Sequence, residues 1–139
     1  MLESISPVSI AVSGLKAQRI RMNVIANNIA NAESTRTPGG GPFRRQLAIF
    51  RGEQLGTSLS PDKFGVWVTG IENDTSPFRT VYDPTHPDAN ADGIVAYPNI
   101  NLSVEMINLI SAQRGYEANI DVILSSRRMT QKALEIIQQ

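Results

Sequence analysis

The sequence predicts an α+β fold: long N- and C-terminal helices paired as an antiparallel coiled coil, with a small β-rich insertion between them. Two rows of apolar residues, and the stretch that separates them, carry this prediction. Leu102, Met106, Leu109, Tyr116, Ile120, Ile123, Leu134 and Ile137 fall on an alternating three-and-four spacing, interrupted only by Gln113, Arg127 and Thr130. That is the stripe of a long amphipathic helix with a coiled-coil-like seam. Ile5, Val8, Val12, Leu15, Met22, Ala26 and Ile29 repeat the spacing near the other end, broken once by Arg19. Between the two rows, short β-branched and aromatic runs alternate with Gly-, Pro- and Asp-rich breakers, the pattern of short strands and turns.

In chain order, the first helix is expected from Ile5 to about Asn31, since Pro7 is tolerated in the first helical turn if the helix starts near Ser6. Thr35 to Pro42 (TRTPGGGP) reads as a hinge or exposed loop. Phe43 to Phe50, carrying Arg44 and Arg45, is a strand candidate. So is Phe64 to Ile71, where Gly65 and Gly70 permit bends or bulges. Phe78 to Tyr82 and Ile94 to Tyr97 are short strand candidates on either side of the turn region DPTHPDANADG. The last helix is expected over Asn101 to Gln139, with Asn101 as N-cap and Glu105 in the first turn. The expected division is thus 1–34 and 99–139 for the helical domain and 35–98 for the hinge and β-rich insertion.

A helix over 101–139 would be about 57 Å long at about 1.5 Å per residue, too long for so small a chain to bury alone. Apolar residues also lie beside the main rows: Ile10, Ala17, Val24 and Ile25 on the first helix, and Ile107, Ile110, Leu124 and Ile136 on the last. A lone helix pair leaves much of this wet, so neighbouring subunits are expected to complete the bundle, and the isolated chain is expected to have poorly ordered ends. Asn23, Asn27 and Asn31 line one helix face with Asn28 beside them. They read either as a ladder of amides fixing register against neighbouring chains or as a solvated face. Gly14 and Gly115 lie inside helices, where Gly costs about 1 kcal/mol relative to Ala. Close helix approach is one reason to keep them, with Gly115 expected near Ala26–Ala30.

Composition narrows the function. The 139 residues carry no net charge, which argues against general nucleic-acid binding and suits self-assembly. There is no cysteine, so no disulfide, thiolate metal site or cysteine nucleophile. No apolar run reaches the roughly 18 residues of a membrane span, and the start lacks the basic n-region of a cleaved secretory signal. Composition alone assigns the chain to the cytoplasm.

One cluster could carry chemistry. Asp88, Asn90 and Asp92, followed by Gly93, match the opening of a calcium loop, but the twelfth position is Asn99 rather than a bidentate Glu. A structural turn stiffened by Pro84 and Pro87 is the favoured reading. His86 is the only histidine. Asp83 or Asp88 could orient it, yet no activated nucleophile has a recognisable setting nearby. Gly39-Gly40-Gly41 is not followed by the Lys and Ser/Thr of a P-loop. Arg44-Arg45 and Arg127-Arg128 are pairs rather than a basic patch, and exposed pairs are the default. No cofactor is expected.

Three segments carry a family resemblance: SGLKAQRIRMNVIANNIANAEST, with its core at Asn27 to Asn31; DPTHPDANADGIVAYPNIN; and EMINLISAQRGYEANIDV. Together they resemble the bacterial flagellar axial proteins, the rod, hook and hook-associated subunits. The second and third segments, with the short length, point within that family to the proximal rod. The resemblance is weak over Phe43 to Tyr82, and Ile94 stands where the family pattern has an aromatic. It implies a structural subunit without enzymatic activity or cofactor, exported through the flagellar type III apparatus without a cleaved signal. Such a subunit assembles helically in the periplasm into the drive shaft that transmits torque. Its implied partners are the other proximal rod proteins, the adaptor at the membrane ring, the export apparatus and further copies of itself, with neither nucleic acid nor direct membrane insertion. Subunit contacts are expected at Val8, Val12, Leu15, Met22, Asn23, Asn27, Asn28, Ile29 and Asn31 on the first helix. On the last they are expected at Met106, Leu109, Ile110, Arg114, Tyr116, Asn119, Ile120, Ile123 and Leu124. The loop residues Asp83, Pro84, His86, Pro87 and Asp88 are expected to brace subunits or helices. The alternatives are another axial subunit or a secreted calcium-binding module.

Overall fold

A computed structural model describes residues 7–54 and 64–137. Helix α1 (Pro7–Ala30) is followed by strands β1 (Gln46–Gln54), β2 (Phe64–Asn73), β3 (Arg79–Tyr82) and β4 (Ile94–Tyr97), and helix α2 (Leu102–Ile137) closes the chain. The expected starts at Ile5 and Ser6 lie outside the described residues. Both helices follow from their apolar periodicity, and both ends near the insertion are capped by asparagine. The Asn31 amide donates to the Asn27 carbonyl at 2.9 Å as α1 ends. The Asn101 side chain accepts the Val104 N–H at 3.2 Å as α2 begins.

The helices run antiparallel. Gln18 lies against Gly115, Gly14 lies against Asn119, and the Asn28 amide donates to Glu105 at 3.0 Å. Gly115 therefore faces Gln18 rather than Ala26–Ala30. Both glycines are sites of close approach, as a Cβ at Gly14 would stand 2.7 Å from the Asn119 carboxamide oxygen.

The packed seam is rotated from the apolar row that signals the helices. On α1 the buried residues are Ala11, Ser13, Ala17, Val24, Ile25 and Asn28; on α2 they are Glu105 and Ala112. Of the expected row, Leu109, Tyr116 and Ile123 are partly covered, whereas Leu102, Met106, Ile120, Leu134 and Ile137 are exposed. The physical reason lies in size. Small residues let the two backbones approach, and the bulky row is left facing outward. From Arg127 to Ile137 every residue of α2 is exposed, a projection of about 16 Å at about 1.5 Å per residue.

The insertion consists of two antiparallel hairpins, β1–β2 and β3–β4. The first pairs Gln46 with Asn73 and Gln54 with Phe64, with a bulge at Ile49/Phe50 that uses the extra residue to twist the ladder. It starts three residues later than the sequence implied. The Arg45 N–H is taken by the Asn99 side chain at 2.9 Å and the Phe43 N–H by the Ser34 carbonyl at 2.9 Å, so this backbone is satisfied outside a ladder. The second hairpin pairs Arg79 with Tyr97 and Tyr82 with Ile94, and Val95 is fully buried beneath it. Gly93, with φ +72°, closes the intervening loop where a Cβ would meet Tyr82 and Pro84.

Candidate assembly site

The helices and the first hairpin meet at a buried polar joint. Glu105 and Asn28 are each 1% exposed, a position where a polar group requires partners. Every side-chain oxygen and nitrogen of the two is engaged. Arg45 donates to Glu105 Oε1 through Nε at 2.9 Å and Nη2 at 2.7 Å, and Asn28 Nδ2 donates to Oε2. Asn28 also brackets the first residue of β1, donating to the Gln46 carbonyl at 2.8 Å and accepting the Gln46 N–H at 2.9 Å. The second arm of the Arg45 fork reaches Asp74, just past β2, with Nη1–Oδ2 3.2 Å. Asp74 N–H returns a bond to the Arg45 carbonyl at 2.8 Å. Burial works to lower the Arg45 pKa, but the hydrogen bonds and charges of Glu105 and Asp74 outweigh it and hold the pKa above its ordinary value. Asp74 is held below the usual carboxylate range, first by the Ser76 hydroxyl and N–H and then by Arg45.

The arginine pair expected to be exposed is therefore integral to the fold. Arg44 lies over the Phe78 ring at 4.1 Å and donates to the Asp74 and Ser76 carbonyls. Beyond the joint, an open groove of about 820 Å³ runs between the end of α1 and the start of α2, walled by Ile29, Phe78, Pro98, Leu102 and Met106 among others.

The loop 83–93 is held by its own hydrogen bonds. Asp83 accepts the Thr85 N–H and hydroxyl, which with the nearby His86 lower its pKa. His86 Nδ1 accepts the Asp88 N–H at 3.0 Å, and its ring stands edge-on to Tyr97, so Asp83 does not orient it as a base. Asp88 ties the loop to the hinge through Arg36 at 2.6 Å and the Thr35 hydroxyl at 2.9 Å. The calcium candidates Asp88, Asn90 and Asp92 carry hydrogen bonds and an ion pair within the chain. The Asp88 oxygens face Arg36 and Thr35, and the Asn90 oxygen accepts the Asp92 and Ile94 N–H groups. Among the described residues no cluster of three acidic or histidine side chains is placed to hold a metal.

Comparison with known proteins decides the family. The model of the flagella basal body rod protein matches residues 9–36, and that of the flagellar basal body rod FlgEFG protein C-terminal matches 91–136. The chain is 46% identical to the flagellar basal-body rod protein FlgC of Borreliella burgdorferi, over 96% of this chain and 97% of the relative. It is 39% identical to the FlgC proteins of Bacillus subtilis and Salmonella typhimurium, over 93% of this chain and 95% and 94% of those relatives. The chain belongs to the FlgC family of flagellar basal-body rod proteins. It is a structural subunit of the proximal rod, located in the flagellar basal body and assembling with other rod components.

The FlgC-like fold divides the residues expected at subunit contacts. Asn28 is buried within the chain and bonded to Glu105 and Gln46, and Asn119 lies against Gly14 and donates to the Gly115 carbonyl at 2.7 Å. Both bond within the chain, Asn28 fully buried and Asn119 half-covered. Asn31 bonds back to Asn27, whose own amide reaches the Gln46 side chain. Within the asparagine row Asn28 is buried, Asn31 is half-covered, and Asn23 and Asn27 are exposed. Val12, Met106, Ile110, Arg114, Ile120 and Leu124 are exposed; Val8, Leu15, Met22, Ile29, Leu109, Tyr116 and Ile123 are half-covered. Gln46 and Asp74 escaped the sequence reading; Arg45 entered it only as half of an arginine pair, Asn99 only as the unsuited twelfth position of a calcium loop, and Glu105 only as a helix-dipole residue. Asn28 and Glu105 are 77 positions apart, and no local pattern links them.

Proposed function

We propose that this rod subunit uses the bulky face of α2, together with the outer face of α1, as its contact surface with neighbouring subunits in the periplasmic rod. The observation that carries the reading is the exposure of that face. Ile107 is 67% and Ile110 53% exposed, with Met106, Ile120 and Leu124 beside them, an apolar surface that water does not favour and that marks an interface. Val8, Val12, Leu15, Met22, Asn23 and Ile29 contribute from α1, and Leu109, Arg114, Tyr116 and Ile123 from α2. A heterologous contact of this kind, repeated without closure, generates a helical shaft suited to carrying torque.

On this reading the helical domain comprises 1–34 and 99–139, and residues 35–98 form the hinge and the outer module. The loop Asp83, Pro84, His86, Pro87 and Asp88 braces that module. The chain has no enzymatic role and binds no cofactor or nucleic acid. It leaves the cytoplasm through the flagellar type III export apparatus. Its neighbours are the other proximal rod proteins, the adaptor at the membrane ring and further copies of itself. Among the described residues no helix is long and apolar enough to cross a membrane. Single cysteines at Ile110 and Leu124 test the surface, because the native chain has none. Maleimide is expected to label both readily in the purified chain and poorly in isolated basal bodies, with a cysteine at Asp92 as a control. Equal labelling of Ile110 and Leu124 in the two states would remove them from the interface.

A further inference from the structure

The joint at Arg45, Glu105 and Asn28 does more than satisfy buried groups. It grips the root of the β1–β2 hairpin on both strands, at Gln46 through Asn28 and at Asp74 through Arg45. Beyond that root the hairpin rests along α1, where Val24 and Ile25 share a pocket with Leu47, Ala48 and Phe50. Val66 N–H donates to the Ser13 hydroxyl at 3.1 Å, while Phe50, Val66, Trp67 and Ile71 remain substantially exposed. Strand β1 extends from this root for nine residues, about 26 Å at about 3.3 Å per residue, so a change of about 10° in the angle at the joint would displace its far end by about 5 Å.

A buried ion pair is seldom the most stabilising choice, because well-packed apolar residues of similar volume often hold a fold equally well. What Arg45 supplies that a methionine cannot is a planar fork. It bridges carboxylates on two elements, Glu105 on α2 and Asp74 at the hairpin's end. We propose that Arg45 and Glu105, with Asn28 between them, are positioning residues that fix the angle of the β1–β2 hairpin to the helix pair. They thereby determine where the hairpin presents Phe50 and Trp67 to a neighbouring rod subunit. The family's Asn-Asn-Ile-Ala-Asn segment and the Glu-Met at the head of α2 then have a physical task, as Asn28 and Glu105 are their contributions to the joint.

The proposal rests on the assembly reading, and its test separates the two. In the full-length chain, spin labels at Glu53→Cys and Glu117→Cys report the hairpin-to-helix distance by double electron–electron resonance. The unaltered joint is expected to give a narrow distribution. The apolar double variant Arg45→Met/Glu105→Leu is expected to broaden it while helix content by circular dichroism is kept. Expressed in a strain lacking the gene, that variant is expected to lose the swimming halo, whereas Arg45→Lys, which keeps the charge but not the fork, restores it in part. A broad distribution with the joint intact overturns the proposal without reference to any variant. So does a double variant that swims normally, and so does one that loses its helices along with the hairpin's order, which makes the joint a stability element. If the strain lacking the gene itself swims, the assembly reading fails instead.

Discussion

Gly14→Ala is the sharpest test of how the helices meet. In most helix interiors this substitution is favourable, by about 1 kcal/mol. Here the new methyl would stand 2.7 Å from Asn119 Oδ1 and 3.0 Å from its Cγ and Nδ2, so the Asn119 carboxamide must move. It cannot do so freely, because Nδ2 donates to the Gly115 carbonyl at 2.7 Å. Losing that bond costs about 1 kcal/mol, and overpacking a close seam typically costs a further ~1–3 kcal/mol. Set against the propensity gain, the net is a destabilisation of about 1–3 kcal/mol. Gly115→Ala is the control. Its methyl would meet the flexible end of Gln18 at 3.2 Å, a contact that gives way by a few tenths of an ångström, so it is expected to be near neutral. Urea titrations followed by circular dichroism of the full-length chain compare the three proteins. The double variant Gly14→Ala/Asn119→Ala removes the obstacle and should recover most of the loss. A Gly14→Ala protein as stable as the parent, or a double variant no better than the single, would refute the close seam.

Other perturbations probe the remaining parts. Glu105→Leu alone leaves the Arg45 guanidinium without its main partner. Arg45 is 21% exposed and keeps Asp74, so the expected loss is about 2–3 kcal/mol, below the roughly 3–5 kcal/mol of a fully buried broken pair, read by the same titrations. Asp74 and Asp83 have pKa values below the ordinary 3.8. Their contribution is therefore present above about pH 4 and is lost as the pH falls through the folded-state values. Thermal unfolding between about pH 6 and about pH 2 should show this loss, and Ser76→Ala, which removes the largest cause of the Asp74 shift, should make it shallower. Asp88→Ala cuts the ion pair to Arg36, a side chain that is 75% exposed, and the bond from the Thr35 hydroxyl, so it should cost about 1–2 kcal/mol in a thermal melt. Calorimetric titration of the full-length chain with calcium should give no binding heat, and a saturable heat abolished by Asp88→Ala would restore the metal reading.

The helices were legible because apolar residues spaced alternately three and four apart match the helical period and fit no strand. The Asn101 cap and the strand Ile94–Tyr97 were read directly from residue type. What covers the row was not legible. Periodicity marks a bulky stripe without stating whether it packs inside the chain or against another, and here Ala11, Ala17 and Ala112 are buried and Gly14 and Gly115 receive Asn119 and Gln18, while Met106 and Ile120 face out. The joint was hidden for a different reason. Asn28, Arg45 and Glu105 lie in three separate parts of the chain, and a single polar contact across so much sequence leaves no periodic trace. The start of β1 was misplaced because Phe43, Arg44 and Arg45 look like strand residues by composition. Their backbone groups and side chains are claimed instead by Ser34, Asn99 and Asp74.

Electron cryotomography of basal bodies in cells lacking this gene tests the central claim most directly. The account predicts that the inner-membrane ring and export apparatus remain in place and that no rod grows from them. Complete rods and filaments in those cells would contradict it.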